Sequence, residues 1–221
     1  MARSPSGSWR SYRPEAAAAA RARVAATPEC RILGLDPGSL RTGFGLIDCT
    51  AQGERLVSSG CIAVGGADLV VRLRRIFEAV HTIVCEHRPD EIAVERVFVH
   101  RNPDSALKLG QARGAALCAA VATGASAHEY APRAIKLAVS GYGAADKAQV
   151  AQMVMVLLQL QVRPVADAAD ALAAALCHAQ TRRLAALVAA PDDTLPAAAG
   201  RVRAATGRSR ATATPVRGAR P

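Results

Sequence analysis

An aspartate at the end of a short apolar run constrains this chain more than any other feature of its 221 residues. A buried strand at about 31–36 is predicted by the stretch Arg31-Ile-Leu-Gly-Leu-Asp-Pro-Gly-Ser39, because proline and glycine favour a turn after it. Asp36 is then at the C-terminal end of a strand, where the sheet fixes a carboxylate and the loop leaves it accessible. An aspartate that only caps its own turn is the alternative at this point.

The remainder of the chain predicts an α/β domain. The predicted elements are strands at 31–36, 42–48 and 55–64, a helix at 68–87, a strand at 91–95, an alanine-rich helix to about 123, a strand at 126–130, and helices after Pro132, at 146–160 and at 166–188. Short turns at Gly38 and Gly53 favour an antiparallel meander for the first three strands, and helical connections favour parallel pairing later. We therefore expect a five-stranded mixed sheet flanked by helices, an order shared by ribonuclease-H-like nucleases and by each half of actin-like ATPases.

The ends of the chain differ from its centre in composition. Residues 1–29 hold five arginines against two glutamates, and residues 194–221 hold six arginines and no acid. Of the net charge of +10, only +1 remains for residues 30–193. The basic excess is thus weak evidence about the partner of the folded part. We expect a disordered N-terminal extension at 1–29, one domain at 30–190 and a disordered basic tail at 191–221.

Apolar runs and cysteines indicate the compartment. No uninterrupted apolar segment reaches the roughly 20 residues that a membrane-spanning helix needs. The six cysteines form no C-x-x-C pair, so neither a zinc site nor a disulfide framework is indicated. We expect a cytoplasmic protein that has no membrane partner. One hypothesis is that translation starts further in, for example at Val24, because the first core strand begins only at Arg31.

Four carboxylates could meet in such a domain. Asp167 and Asp170 are three residues apart near the start of the last predicted helix, so they share a face. Asp36 and Glu95 each end a predicted strand. Oxygen-only ligation of this kind suits Mg²⁺ or Mn²⁺, and a pair of such ions can hydrolyse a phosphodiester. Scattered surface acids are the alternative.

Six blocks of sequence, covering about residues 31–185, resemble in the same order the RuvC family of Holliday junction resolvases. The blocks are Leu33-Gly-Leu-Asp-Pro-Gly-Ser39, Thr42-Gly-Phe-Gly45, Ala93-Val-Glu-Arg-Val-Phe98, Asn102-Pro-Asp-Ser-Ala-Leu-Lys-Leu-Gly-Gln-Ala-Arg-Gly114, Asp146-Lys-Ala-Gln-Val150 and Ala166-Asp-Ala-Ala-Asp-Ala-Leu-Ala173. The resemblance implies a ribonuclease-H-like fold and nicking of four-way DNA junctions that depends on Mg²⁺, with two ions per active site and Mn²⁺ as a substitute. By motif match it implies that the catalytic and metal-binding acids are Asp36, Glu95, Asp167 and Asp170.

Further positions follow from the same resemblance. Phe98 matches an aromatic residue that stacks on bases, although a core phenylalanine is the alternative. Lys136 and Lys147 match basic residues near the scissile phosphate and the junction backbone, where isolated lysines would otherwise suggest a solvated surface. Arg101 is a candidate phosphate contact. Arg96 departs from the family, in which we expect an uncharged polar residue at this position.

The symmetry of the substrate predicts the assembly. A four-way junction is roughly two-fold symmetric and needs two opposed cuts, so we expect a homodimer whose interface is the helix around 103–122. The resemblance also implies cooperation with the RuvA–RuvB branch-migration complex. The alternatives are a YqgF-like nuclease acting on RNA, which shares the spacing of Asp36, Gly38, Arg41 and Gly43, and a junction-binding protein without catalysis.

Overall fold

The computed structural model of the chain describes residues 29–96 and 102–189. The predicted tail, and the predicted extension except for Glu29, lie outside the described residues. In chain order the elements are β1 (Cys30–Asp36), β2 (Arg41–Thr50), β3 (Gly53–Ala63), α1 (Leu69–His87), β4 (Glu91–Glu95), α2 (Pro103–Val121), β5 (Ser126–Tyr130), α3 (Pro132–Ser140), α4 (Lys147–Leu157) and α5 (Ala166–Ala189). Each predicted strand and helix is present, with boundaries that shift by a few residues.

The five strands form one sheet in the order β3-β2-β1-β4-β5. The pairs β1–β2 and β2–β3 are antiparallel, whereas β1–β4 and β4–β5 are parallel. The predicted mixed sheet, with a meander first and parallel strands after it, is confirmed. The parallel pairs place the carboxyl ends of β1, β4 and β5 at one edge of the sheet.

Successive side chains of each strand point to opposite faces of the sheet, so the core has two layers. Leu33, Leu35 and Val94 face a cluster that includes residues of α1 and α2. Ile32 and Ile47 face the opposite cluster, which includes residues of α3, α4 and α5. Asp36 and Gly34 have the parity of Ile32, so they belong to the face that α5 covers.

Glycines on that face let α5 approach the sheet closely. A Cβ added at Gly34 would lie 1.9 Å from the main-chain oxygen of Ala171, and one at Gly43 would lie 1.9 Å from that of Asp167. Neither distance is sterically possible, so any side chain at these positions would push the helix away. The glycines of the Gly-Leu-Asp and Thr-Gly-Phe-Gly stretches therefore set how near the first turns of α5 come to β1 and β2.

Side chains fix where several helices begin. Asp68 accepts a hydrogen bond from the main chain of α1, and Asn102 caps α2, whose first residue is Pro103. Asp146 and Gln149 form a reciprocal capping box at the start of α4. Within 29–96 and 102–189, no helix combines the length and the apolar character that crossing a bilayer requires.

Candidate active site

Two of the four predicted acids lie side by side at the carboxyl edge of the sheet. Leu35 pairs with Val94 in the parallel ladder between β1 and β4, and Asp36 and Glu95 are the next residues on each strand. Both acids have the parity of the face that α5 covers. Asp36 and Glu95 are partly buried, so the sheet fixes their backbone while their carboxylates stay within reach of solvent.

The other two acids reach the same edge from α5. Asp167 and Asp170 lie in the first turns of this helix, and the main-chain oxygen of Asp167 sits directly over Gly43. Gly43 pairs with Asp36 across β1 and β2. The close helix–sheet contact thus places the start of α5 above Asp36.

The charges of the acids act on one another. Burial, followed by the charges of Asp170 and Glu95, raises the pKa of Asp36 to about 6. Burial and the charge of Asp170 also raise the pKa of Glu95. These carboxylates thus act on one another in a partly desolvated place, the kind of place that favours a cation.

Two lysines lie at the cluster. The ammonium of Lys147, the first residue of α4, donates a hydrogen bond of 2.8 Å to Oδ2 of Asp170, and this bond is the largest cause of the raised pKa of Lys147. Lys136 lines the same small cleft as Glu95, Lys147 and Asp170. Both predicted lysines therefore lie beside the acids.

Asp167 is held differently from the other three acids. Its Oδ2 accepts a hydrogen bond of 2.7 Å from Nε of Arg41 and one of 3.2 Å from the thiol of Cys61. Burial alone would raise the pKa of Asp167, but these two hydrogen bonds lower it below its ordinary value. Neither donor was predicted as a site residue, because no local pattern links strands β2 and β3 to a helix more than 100 residues later.

The donor set suits a hard divalent cation. All four acids offer oxygen ligands, which Mg²⁺ and similar cations prefer, and a cation there would offset the repulsion that raises the pKa of Asp36 and Glu95. In the described residues, no three of these acids bring ligand oxygens within 4.8 Å of one another. Like charges repel, and Lys147 and Arg41 each hold one acid, which accounts for this spacing.

A second cluster, which the sequence analysis missed, lies nearer the other end of the sheet. Glu91, His128 and His178 bring ligand atoms within 4.8 Å of one another and could hold a metal ion. Glu91 and His178 already have partners, since Oε2 of Glu91 lies 2.6 Å from Nε2 of His178 and 2.8 Å from Nε of Arg182. Tyr130 bonds the other nitrogen of His178 at 2.5 Å. A cation would have to displace these hydrogen bonds.

Four further residues bear on the predicted DNA contacts or on the strand end beside them. Phe98 and Arg101 lie outside the described residues, so their roles stay predictions. The side chain of Arg96 is 58% exposed and lies 4.0 Å from Glu129. Arg113, another residue that the sequence analysis missed, donates to the main-chain oxygen of Glu95 at 2.6 Å and to Glu129 at 2.7 Å. It therefore anchors the end of β4 from α2.

Comparisons with known proteins agree with the fold and the motifs. Residues 32–178 match the family model described as crossover junction endodeoxyribonuclease RuvC. The protein named crossover junction endodeoxyribonuclease RuvC from Methylococcus capsulatus is 57% identical over 154 residues, which cover 69% of this chain and 92% of that protein.

Solved structures give the same likeness. The structure of Thermus thermophilus RuvC has a TM-score of 0.65 and 34% identity, and the match covers 70% of this chain and 96% of that one. The structure of T. thermophilus RuvC in complex with a Holliday junction substrate has a TM-score of 0.64 and 32% identity, with the same coverage. The predicted ribonuclease-H-like fold is confirmed.

Proposed function

The chain belongs to the RuvC family of crossover junction endodeoxyribonucleases, and from this membership and the acid cluster we propose that it resolves Holliday junctions by paired, symmetric nicks. The observation that carries the proposal is that Asp36, Glu95 and Asp170 lie at a single edge of the sheet, where burial and the charge of Asp170 raise the pKa of Asp36 and of Glu95. A relative that is 32% identical was solved with a Holliday junction substrate. The match to the RuvC model favours this function over a YqgF-like nuclease acting on RNA.

We propose that the cofactor is Mg²⁺, two ions per active site, with Mn²⁺ as a substitute. The residues that would hold it are Asp36, Glu95, Asp167 and Asp170. When bound there, such ions lower the pKa of a water and offset charge on the phosphate. The protein's own contribution is to hold four carboxylates at one edge of the sheet in a partly desolvated place, where Asp36 and Glu95 lose their protons less readily than ordinary acids do.

The lysines supply positive charge on the side where the phosphate backbone would lie. Lys147 is 81% exposed in its side chain and its ammonium neutralises part of the charge of Asp170. Lys136 acts on Glu95 through its charge. We propose that both contact backbone phosphates, with Arg101 as a third contact and Phe98 as the base-stacking ring. Such contacts would weaken as salt concentration rises.

Two opposed cuts require two active sites, and each chain supplies one set of acids. We propose a symmetric homodimer joined through α2. One face of this helix is exposed along its length, and apart from Gln111 its exposed residues are small or apolar, namely Leu107, Gly110, Gly114, Cys118 and Val121. A Cβ at Gly110 or Gly114 would meet nothing within 4 Å, so a second helix has room to approach closely.

The remaining partners follow from the family. We propose that the dimer acts in the cytoplasm on junctions that the RuvA–RuvB complex has moved by branch migration. We also propose that residues 30–190 form the nuclease domain, because the family match lies within these bounds.

The test of the function is a labelled synthetic four-way junction incubated with the protein and Mg²⁺. We expect cuts on two opposed strands that leave ligatable duplexes, and no cutting of a linear duplex of the same sequence. Asp36→Asn should bind the junction and leave it intact. Equal cutting of the linear duplex would exclude junction selectivity, and unchanged cutting by Asp36→Asn would exclude the acid cluster as the active site.

A further inference from the structure

We propose that Arg41 and Cys61 are positioning residues that hold the Asp167 carboxylate in the orientation that cation binding needs. This inference rests on the proposed function and deepens it, because it concerns how one acid of the cluster is oriented. Nε of Arg41 and Sγ of Cys61 lie 2.7 Å and 3.2 Å from the same oxygen, Oδ2 of Asp167. Since both donors act on one oxygen, Oδ1 is the oxygen that a cation could use.

The strands make this hold rigid. Arg41 is the first residue of β2, and Cys61 on β3 pairs directly with Gly43 on β2. Arg41, Gly43 and Cys61 therefore belong to the same face of the sheet. Gly43 contacts the main chain of Asp167, while Arg41 and Cys61 donate to its carboxylate. One patch of the meander thus fixes both the backbone and the carboxylate of this residue.

The position of Asp167 leaves its side chain room to turn. It lies in the first turn of α5, its side chain is 29% exposed, and the charges of the other acids lie nearby. Without donors, repulsion would favour rotamers that turn the carboxylate toward solvent. Arg41 offsets part of that negative charge, whereas Cys61 is a neutral donor.

The chemistry of Cys61 fits a donor better than a reactive thiol. Its Sγ is partly buried and lies 3.2 Å from Oδ2 of Asp167, a carboxylate oxygen that can only accept, so the thiol is the donor in this contact. A protonated thiol is a weak donor but can act on an ionised carboxylate.

Cys61 and Arg41 could each have another role, and suitable variants distinguish that role from positioning Asp167. Cys61 could act only by filling space beside α5. Arg41, whose side chain is 57% exposed, could contact a DNA phosphate instead. Serine keeps a donor at position 61 and alanine does not, while junction binding without Mg²⁺ reports DNA contact independently of catalysis.

For Cys61, the experiment measures Mn²⁺ affinity by titration calorimetry on the full chain, together with kcat on the junction at saturating Mg²⁺. Cys61→Ala should weaken Mn²⁺ binding and lower kcat by about tenfold, the loss typical of residues that orient metal ligands. Cys61→Ser should restore most of both. Asp167→Asn gives the reference loss, and Cys85→Ala, which removes an exposed thiol on α1, should change neither quantity.

Two results would overturn the role of Cys61: wild-type Mn²⁺ affinity in Cys61→Ala, or a loss in Cys61→Ser as large as that in Cys61→Ala. The second result would show that the residue acts through packing alone. The Mn²⁺ titration needs no DNA, so a wild-type chain that binds Mn²⁺ but cuts no junction would count against the proposed function and leave this inference testable.

For Arg41, which is exposed enough to replace without unfolding the chain, the variant is Arg41→Gln. We expect Arg41→Gln to lower kcat by about tenfold while its Kd for the junction without Mg²⁺ stays at the wild-type value. Arg74→Gln, which removes a guanidinium whose ion pair is with Glu78 on the same helix, is the control. A weaker junction Kd with unchanged kcat would make Arg41 a DNA contact and overturn its positioning role.

Discussion

At the scale of single residues, Asp36 holds a proton more tightly in the folded chain than an ordinary aspartate does. Burial and the charges of Asp170 and Glu95 raise its pKa from 3.8 to about 6. The folded state therefore binds more protons than the unfolded chain between these values, and stability falls as pH rises through this window. Above about pH 6, Asp36 is ionised, as cation binding requires, and its buried charge then lowers the free energy of unfolding by its full amount.

The first prediction concerns stability. Asp36→Asn removes the buried charge, so it should raise the free energy of unfolding of the metal-free protein by about 1–3 kcal/mol at pH 8. At pH 4 the gain should be small, because the wild-type aspartate is then protonated in the folded state. Urea unfolding at both pH values measures this. Equal effects at pH 4 and pH 8 would contradict the charge argument.

The second prediction concerns activity. Cation binding needs ionised carboxylates, so cleavage at limiting Mg²⁺ should rise as pH increases through about 6 and then level off. Raising the Mg²⁺ concentration should move the midpoint to lower pH, because the cation competes with the proton. Single-turnover cleavage rates at several Mg²⁺ concentrations measure this. A midpoint that does not respond to Mg²⁺ would point to a group outside the cluster.

At the scale of elements, the site depends on how closely α5 packs on β1 and β2. The main-chain oxygens of Ala171 and Asp167 occupy the places where side chains of Gly34 and Gly43 would be. Two strand ends and one helix start therefore meet only because glycines remove the side chains between them.

The third prediction follows from this contact. Gly43→Ala should displace the start of α5, lower the free energy of unfolding by about 2 kcal/mol or more, and reduce cleavage strongly. Gly65→Ala is a matched control, because a Cβ there would meet nothing within 4 Å. Thermal unfolding and junction cleavage measure both effects. Wild-type cleavage in Gly43→Ala would show that the helix position tolerates the displacement.

The elements could be predicted from sequence more fully than the contacts between them. Local signals mark the strand ends, because apolar runs stop at Asp36 and at Glu95. The spacing of Asp167 and Asp170 in the same way marks the start of a helix. The hold on Asp167 by Arg41 and Cys61 depends on strand register and on the distance of α5 from the sheet, which no local pattern encodes. The Glu91, His128 and His178 cluster was missed for the same reason, because its members come from two strands and a distant helix.

At the scale of the whole molecule, the proposed paired cuts would need two sets of acids, and each chain supplies one. The exposed face of α2 offers small residues at helical spacing, and Leu107 is 64% exposed there. A close helix pair across a two-fold axis would cover this face in both chains.

The fourth prediction tests that interface. Gly114→Arg should give a monomer in size-exclusion chromatography with light scattering, without harming the helix, because arginine forms helices better than glycine. The monomer should nick junctions without coordinated second cuts. Gly65→Arg adds the same side chain at an exposed turn and should leave the dimer intact. A dimeric Gly114→Arg protein would place the interface elsewhere.

The most direct test of the central claim is where Mn²⁺ binds. Anomalous diffraction from crystals soaked in Mn²⁺ should show a peak contacted by carboxylates of Asp36, Glu95 and Asp170, with Asp167 as a further ligand. The Glu91, His128 and His178 cluster provides an internal comparison in the same crystal. A peak at that cluster with none among the four acids would contradict the assignment of the active site.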